Sequence, residues 1–230
     1  MTEIVDPPEL DARQAALESF AVLVPAVAAG AALGLAVLPY WLPSLAQSLS
    51  GPDPKAYWYL ARASGVVAFA LVWISMLLGL LLSTRLAGEL ARPAFVMDLH
   101  QHVSLTGIAF SALHALFLLG DRFVSFSLGE LLLPFSSRHA PVAVGAGQLA
   151  LYGLAFVTLT FALRKEFGPR FWKLLHRLSF AVFALALAHG LAAGSDGASP
   201  WLISVYLLAT GSVTFLVVLR LSAPRAVLRR

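Results

Sequence analysis

The sequence predicts an all-α polytopic membrane protein, a bundle of six transmembrane helices. Three observations carry that prediction. Hydrophobic residues make up 59% of the 230 and charged residues only 12%, a balance far too apolar for a soluble domain of this size. Six apolar stretches reach or approach the roughly 20 residues that a helix needs to cross a hydrocarbon core about 30 Å thick. The Lys and Arg residues gather in the connections on one side of those stretches, as basic residues do on the cytoplasmic face of a bilayer.

In chain order the spans are expected near Phe20–Ser48, Tyr57–Ser83, Leu99–Gly120, Val142–Leu163, Phe171–Ala193 and Trp201–Leu221. Residues 1–19 are acidic, contain Pro7 and Pro8, and lack the basic start and cleavage site of a secretory signal peptide; a cytoplasmic lead-in is expected there. Residues 20–56 then supply the first span and an outer loop, 57–198 a central transmembrane domain, and 199–230 the sixth span and a basic cytoplasmic tail. That tail is too short for a soluble catalytic domain. Gly30 and Gly34 in the first span have the GxxxG spacing that permits close backbone approach; ordinary packing accounts for it, because glycine is common in membrane helices.

Of the 16 Lys and Arg residues, only Lys55, Arg62, Arg122 and Arg138 fall on the side away from the termini. Both termini are therefore expected in the cytoplasm, with the third and fifth spans running from inside to outside, in a plasma (inner) membrane. The net charge of +4 follows from this bias and does not point to nucleic acid. Cysteine is absent, which excludes disulfides, cysteine-ligated iron–sulfur clusters and CxxCH haem attachment.

Five of the six histidines lie in or at the edge of a span, where ionisable groups are costly and mark function by default. His100 and His114 are separated on the third span by a rise of about 21 Å and project from nearly the same face, about 40° apart. Gly107 lies midway between them, where a missing side chain lets a flat macrocycle or a partner helix come close. His176 and His189 repeat the arrangement on the fifth span, roughly 20 Å apart. Two parallel helices thus offer a His100–His176 pair at one depth and a His114–His189 pair at the other, the axial ligands that two stacked haem irons require. An ideal helix leaves His176 and His189 about 140° apart, so the fifth span has to tilt or bend. Phe180 and Phe183 between them are explained by core packing at least as well as by a macrocycle.

His102 points nearly opposite to His100, so only one of the two can face the bundle interior; His100 is taken as the ligand. His139, in the polar SSRHAP loop, reads as a solvated histidine. Arg62 at the start of the second span is a candidate contact for a haem propionate, or an arginine snorkelling to headgroups. Trp172, Lys173 and Arg177 flank His176 at the cytoplasmic face, where propionates, an acidic partner or anionic lipid could meet them; lipid alone suffices. No catalytic residue is assigned: there is no nucleophile with a paired base, no HExxH, no phosphate-binding glycine loop and no intramembrane carboxylate pair. Asp98, Asp121, Glu130 and Asp196 are expected at helix ends or in loops.

YLARASG at 58–64, the spacing from His100 to His114, FWKLLHRLSF at 171–180 and AHGLAAGSD at 188–196 carry a family likeness. Over roughly residues 57–198 the chain resembles the ferric-reductase-like transmembrane domain of ferric reductases and NADPH oxidases, and the haem-binding membrane subunit of methionine sulfoxide reductase systems. The resemblance implies that His100 and His176 ligate the iron of an inner haem b and His114 and His189 that of an outer one. It implies a cytochrome b-type electron-transport subunit, the membrane component of an oxidoreductase that needs a partner for complete catalysis. Electrons would come from a flavoprotein or quinol donor and leave to an outer-side oxidoreductase, ferric iron or oxygen. The chain lacks the large members' flavin and nicotinamide domain; a flavin at the inner face is a further candidate cofactor. The alternatives are a histidine-dependent proton or metal transporter, and a cofactor-free membrane anchor.

Overall fold

The computed structural model describes residues 55–84, 92–194, 197 and 199–222, with scattered positions at 25, 29, 32–33, 36–37, 40 and 47. The chain divides into two units, Met1–Ala56 and Tyr57–Arg230, and the helices of the second carry the candidate site. The expected first span and its Gly30 and Gly34, the segment 1–19, Asp196 and the basic tail beyond Ser222 lie outside the described residues, those scattered positions aside.

The described residues are all-helical, without strands, in the order α1 (Lys55–Thr84), α2 (Pro93–Gly120), α3 (Leu128–Leu132), α4 (Pro141–Ala162), α5 (Arg164–Phe167), α6 (Pro169–His176), α7 (Leu178–Ala193) and α8 (Pro200–Ser222). Among the described residues five segments are long and apolar enough to cross a membrane: α1, α2, α4, α6 with α7, and α8. They coincide with the second to sixth expected spans to within a few residues at most ends. The exception is the start of α2, which begins at Pro93 instead of Leu99. Proline opens α2, α4 and α6 at the first turn, where its missing N–H costs no hydrogen bond and its fixed φ suits a helix. Gly168, with φ of +76°, makes the turn between α5 and α6 in a conformation that disfavours a side chain.

Apolar side chains face both ways. Phe69, Val72, Met76 and Leu80 of α1, Phe183 of α7, and Leu202, Tyr206, Ala209 and Val213 of α8 form a buried core. Within it Phe183 stacks on Phe69 at 6.0 Å and Tyr206 meets Phe69 edge-on at 4.9 Å. Phe183 is thus a packing residue, as the sequence suggested, and Phe180 is exposed. Leu105, Leu116, Leu207, Leu208 and Phe215 stand uncovered on the outside of α2 and α8. A continuous apolar exterior of this kind is stable against lipid and not against water.

The fifth expected span is not one helix. It breaks at Arg177 between α6 and α7, where the Arg177 N–H donates to the Leu174 carbonyl at 3.2 Å and the Phe180 N–H to the Arg177 carbonyl at 3.2 Å. Both bonds reach back three residues, the tighter 3₁₀ pattern.

Between α2 and α4 the chain forms a clasped loop. Asp121 ends α2 and accepts from the Phe123 and Val124 N–H groups, both at 3.2 Å. Ser127 and Glu130 make a reciprocal capping box at the start of α3, and Glu130 Oε1 accepts from the Arg138 backbone N–H at 3.1 Å and its guanidinium at 3.3 Å. The Ser127 N–H and hydroxyl, then Arg138, push the Glu130 pKa from the ordinary 4.5 down to about 2. A depressed folded value means that the clasp contributes fully above the ordinary carboxylate range and is lost as pH falls through about 2. The amides of 127–138 should keep their exchange protection, corrected for intrinsic rates, from pH 7 to about 4, and Glu130→Gln should remove much of it at pH 7. Protection that already fades at pH 5 would mean that another group holds the loop.

Candidate functional site

The four span histidines meet in two pairs. The His100 and His176 ring centres are 6.1 Å apart, and those of His114 and His189 are 6.0 Å apart. The rings are inclined by 75° and 72°, so neither pair stacks face to face. A nitrogen lies about 1.2 Å from its imidazole centre and a metal–nitrogen bond is about 2.0 Å, which puts the ring centres of a linear N–metal–N unit about 6.4 Å apart. Both pairs stand close to that separation.

In three of the four rings the orientation has a common cause. His114 Nδ1 donates to the Ala61 carbonyl at 2.7 Å, His100 Nδ1 to the Ser75 carbonyl at 3.0 Å, and His189 Nδ1 to the Ala143 carbonyl at 2.8 Å. A carbonyl only accepts, so the proton is on Nδ1 and the Nε2 lone pair is left on the far side of the ring. Each of these carbonyls is four residues before a glycine: Gly65, Gly79 and Gly147. A Cβ would lie 2.9 Å from His114 Nδ1 at Gly65, 3.4 Å from His100 Cε1 at Gly79, and 2.6 Å from His189 Nδ1 at Gly147. The helix carbonyl at position i is shielded by the side chain one turn later, and glycine removes the shield. We call this arrangement a glycine-backed latch. Two latches fasten α2 to α1 and one fastens α7 to α4, with the histidine pairs between.

The remaining sequence candidates sort cleanly. His102 is exposed, with Nδ1 on the Asp98 carbonyl of its own helix at 2.8 Å, so of His100 and His102 it is His100 that turns inward. Gly107 is buried against Leu71 and Val72 of α1; of the two roles open to it, close approach of a partner helix is the one observed. Arg62 is half-buried, with its guanidinium 6.0 Å from the Trp58 ring centre. It lines the same cavity as His114 and His189, of about 250 Å³. Exposed His139 also borders this cavity. Lys173 and Arg177 are exposed, while Trp172 is half-buried with its indole over the His176 ring at 5.1 Å and 29°.

Two features escaped the sequence reading. The latch glycines were legible only as small residues, because their role depends on which histidine comes opposite. Gln148, buried in α4, donates through Nε2 to the Glu130 and Leu131 carbonyls, both at 2.8 Å, and so ties the clasped loop to the bundle. Its Oε1 has no partner, and the side chain lines the His114–His189 cavity. A lone amide in an apolar span was the available signal.

Among the described residues no group of three or more His, Cys, Asp or Glu side chains gathers to hold a metal ion. Two imidazoles leave a first-row metal incompletely coordinated; a metal in a flat macrocycle brings its other ligands with it. The pairs therefore suit a metallo-macrocycle better than a bare ion.

Fold and site define a polytopic helical membrane protein with two pairs of imidazoles between its helices. Residues 56–196 match the family described as a domain of unknown function, DUF8596, and the chain belongs to that family. The matched segment holds all four paired histidines, the three latches and Arg62. No solved structure matches the chain.

The latches make an ordered prediction. Alanine at Gly147 and Gly65 puts a Cβ inside 3 Å of a histidine ring atom and should destabilise the protein by about 1–3 kcal/mol. Alanine at Gly107 meets its neighbours at an ordinary 3.5 Å and should cost under about 0.5 kcal/mol. Thermal melts of the detergent-purified variants should rank Gly147 and Gly65 below Gly79, and Gly79 below Gly107. A Gly107→Ala melt as low as that of Gly147→Ala would remove the special role of the latches.

Proposed function

We propose that the chain is a transmembrane electron-transfer subunit of the ferric-reductase-like kind, carrying electrons through two bis-histidine b-type haems from a cytoplasmic or quinol donor to an outer-side acceptor. The observation that supports it is the double pairing: two sets of imidazoles at a metal-bridging separation, with Nδ1 committed to a backbone carbonyl in three of the four rings. On this reading His100 and His176 hold the inner group, His114 and His189 the outer one, and Arg62 faces an outer propionate.

Bound haem supplies one-electron redox chemistry, and the protein binds, orients and tunes it. The chain's own part follows from its contacts. The latches hold the His100, His114 and His189 rings in one tautomer and raise the basicity of the free nitrogen, as a carbonyl behind a metal-bound histidine does. Apolar residues of α1, α4 and α8, among them Phe69, Val144 and Leu202, line most of the cavity beside the His114–His189 pair. The roughly 21 Å rise between His100 and His114 supports one pair towards each face of the bilayer on this reading. The reading includes a plasma-membrane location with both termini cytoplasmic. It also includes a separate flavoprotein or quinol donor, and an outer oxidoreductase, ferric iron or oxygen as acceptor.

The test is an absorption spectrum of protein purified from haem-replete cells, oxidised and then dithionite-reduced, with haem counted against chain. About two b haems per chain are expected, with His114→Ala and His176→Ala each losing one. A colourless wild-type protein would sink the proposal and turn attention to a transport or anchoring role. Full haem content in both variants would overturn the ligand assignment alone.

A further inference from the structure

Three of the four paired histidines have a carbonyl behind Nδ1, and His176 does not. Its buried Nδ1 has no partner, and neither has the buried Nε1 of Trp172, whose indole lies over the same imidazole at 5.1 Å. An indole N–H only donates, so it cannot serve the Nδ1 proton that a metal on Nε2 would leave in place. Unsatisfied buried donors are rare, and two side by side call for a reason.

The local packing shows why the latch is missing. At the His176 level α4 offers no glycine: the Thr160 hydroxyl occupies the Val157 carbonyl at 2.7 Å, and the Phe161 ring meets Trp172 at 6.0 Å. Trp172, one helical turn before His176, stacks on the imidazole, and His176 Nδ1 is left buried beside it without an acceptor.

A hydrogen bond from Nδ1 to a carbonyl gives an imidazole ligand more anionic character, which favours the oxidised metal and lowers the reduction potential. We propose that Trp172 is a positioning residue that keeps His176 without an Nδ1 acceptor, so that the haem held by His100 and His176 has the higher reduction potential of the two. This rests on the two-haem reading above. The half-buried Arg62 guanidinium acts in the opposite sense at the other site, so the Trp172 variants, which leave Arg62 in place, identify the cause.

The experiment is a spectroelectrochemical redox titration of the full-length protein in detergent, with haem content measured alongside. His114→Ala isolates the inner component and should retain the higher of the two wild-type potentials. Trp172→Phe keeps an aromatic cover and should leave that potential in place. Trp172→Ala admits water to Nδ1 and should lower the inner component alone, by on the order of a tenfold change in its reduction equilibrium, about 59 mV for one electron. An inner potential equal to or below the outer one overturns the proposal, as do Phe and Ala variants that shift it alike. Should Trp172→Ala lose haem altogether, the wild-type ordering still decides. Wild-type protein without haem overturns instead the reading on which the proposal stands.

Discussion

A polar ring in a bilayer must find its hydrogen-bond partner inside the protein, and nearly every backbone carbonyl there is already engaged by the N–H four residues on. A helix carbonyl keeps a second lone pair, but the side chain one turn later covers it. This bundle reaches that lone pair by placing glycine at the covering position. Gly65 exposes the Ala61 carbonyl, Gly79 that of Ser75, and Gly147 that of Ala143, each to one histidine. The spacing between α1 and α2 and between α4 and α7 is set at these points, because an imidazole of fixed size bridges backbone to backbone.

Interhelical hydrogen bonds in membranes contribute about 0.6–2 kcal/mol each, so three latches do not hold the bundle by themselves. Their effect is directional. Around the Phe69–Phe183–Tyr206 cluster, dispersion and close packing supply attraction without specifying which way a ring at the bundle centre should turn. A donor fixed to a carbonyl on the flanking helix does specify it, and leaves the other nitrogen on the far side of the ring. Ser75 adds a polar link: its hydroxyl lies 3.2 Å from His100 Nδ1 and 2.7 Å from the Ser104 hydroxyl.

Much of the fold was legible because hydropathy reports lipid exposure directly, and five expected spans correspond to the five membrane-length segments. The choice of His100 over His102 was legible too, since two residues turn a side chain about 200° around a helix. Less accessible was anything that needs two elements at once. The latch glycines have no common motif, because ARASG, SMLLG and AVGAG share only the glycine and a carbonyl one turn earlier. The clasp of Ser127, Glu130 and Arg138, and its tie through Gln148, sit in a segment with little apolar periodicity to read. Gly107, equidistant from two histidines, suggested an opening for a macrocycle or a partner helix and receives α1; position along a helix says nothing of which neighbour comes to that face.

The break at Arg177 resolves a mismatch that sequence geometry exposes. His100 and His114 are fourteen residues apart, whereas His176 and His189 are thirteen apart, which on ideal helices makes the second pair about 1.5 Å shorter in rise and about 100° further from its partner in angle. A 3₁₀ residue rises about 2.0 Å and turns about 120°, against about 1.5 Å and 100° for an α residue. Each residue in that tighter geometry adds about 0.5 Å of rise and about 20° of turn over an α residue. The two backward three-residue bonds around Arg177 therefore move rise and rotation together in the direction that reduces the mismatch. One irregular turn lets a thirteen-residue segment present its imidazoles opposite a fourteen-residue one, and it does so next to His176, the single paired histidine without a carbonyl latch to hold it.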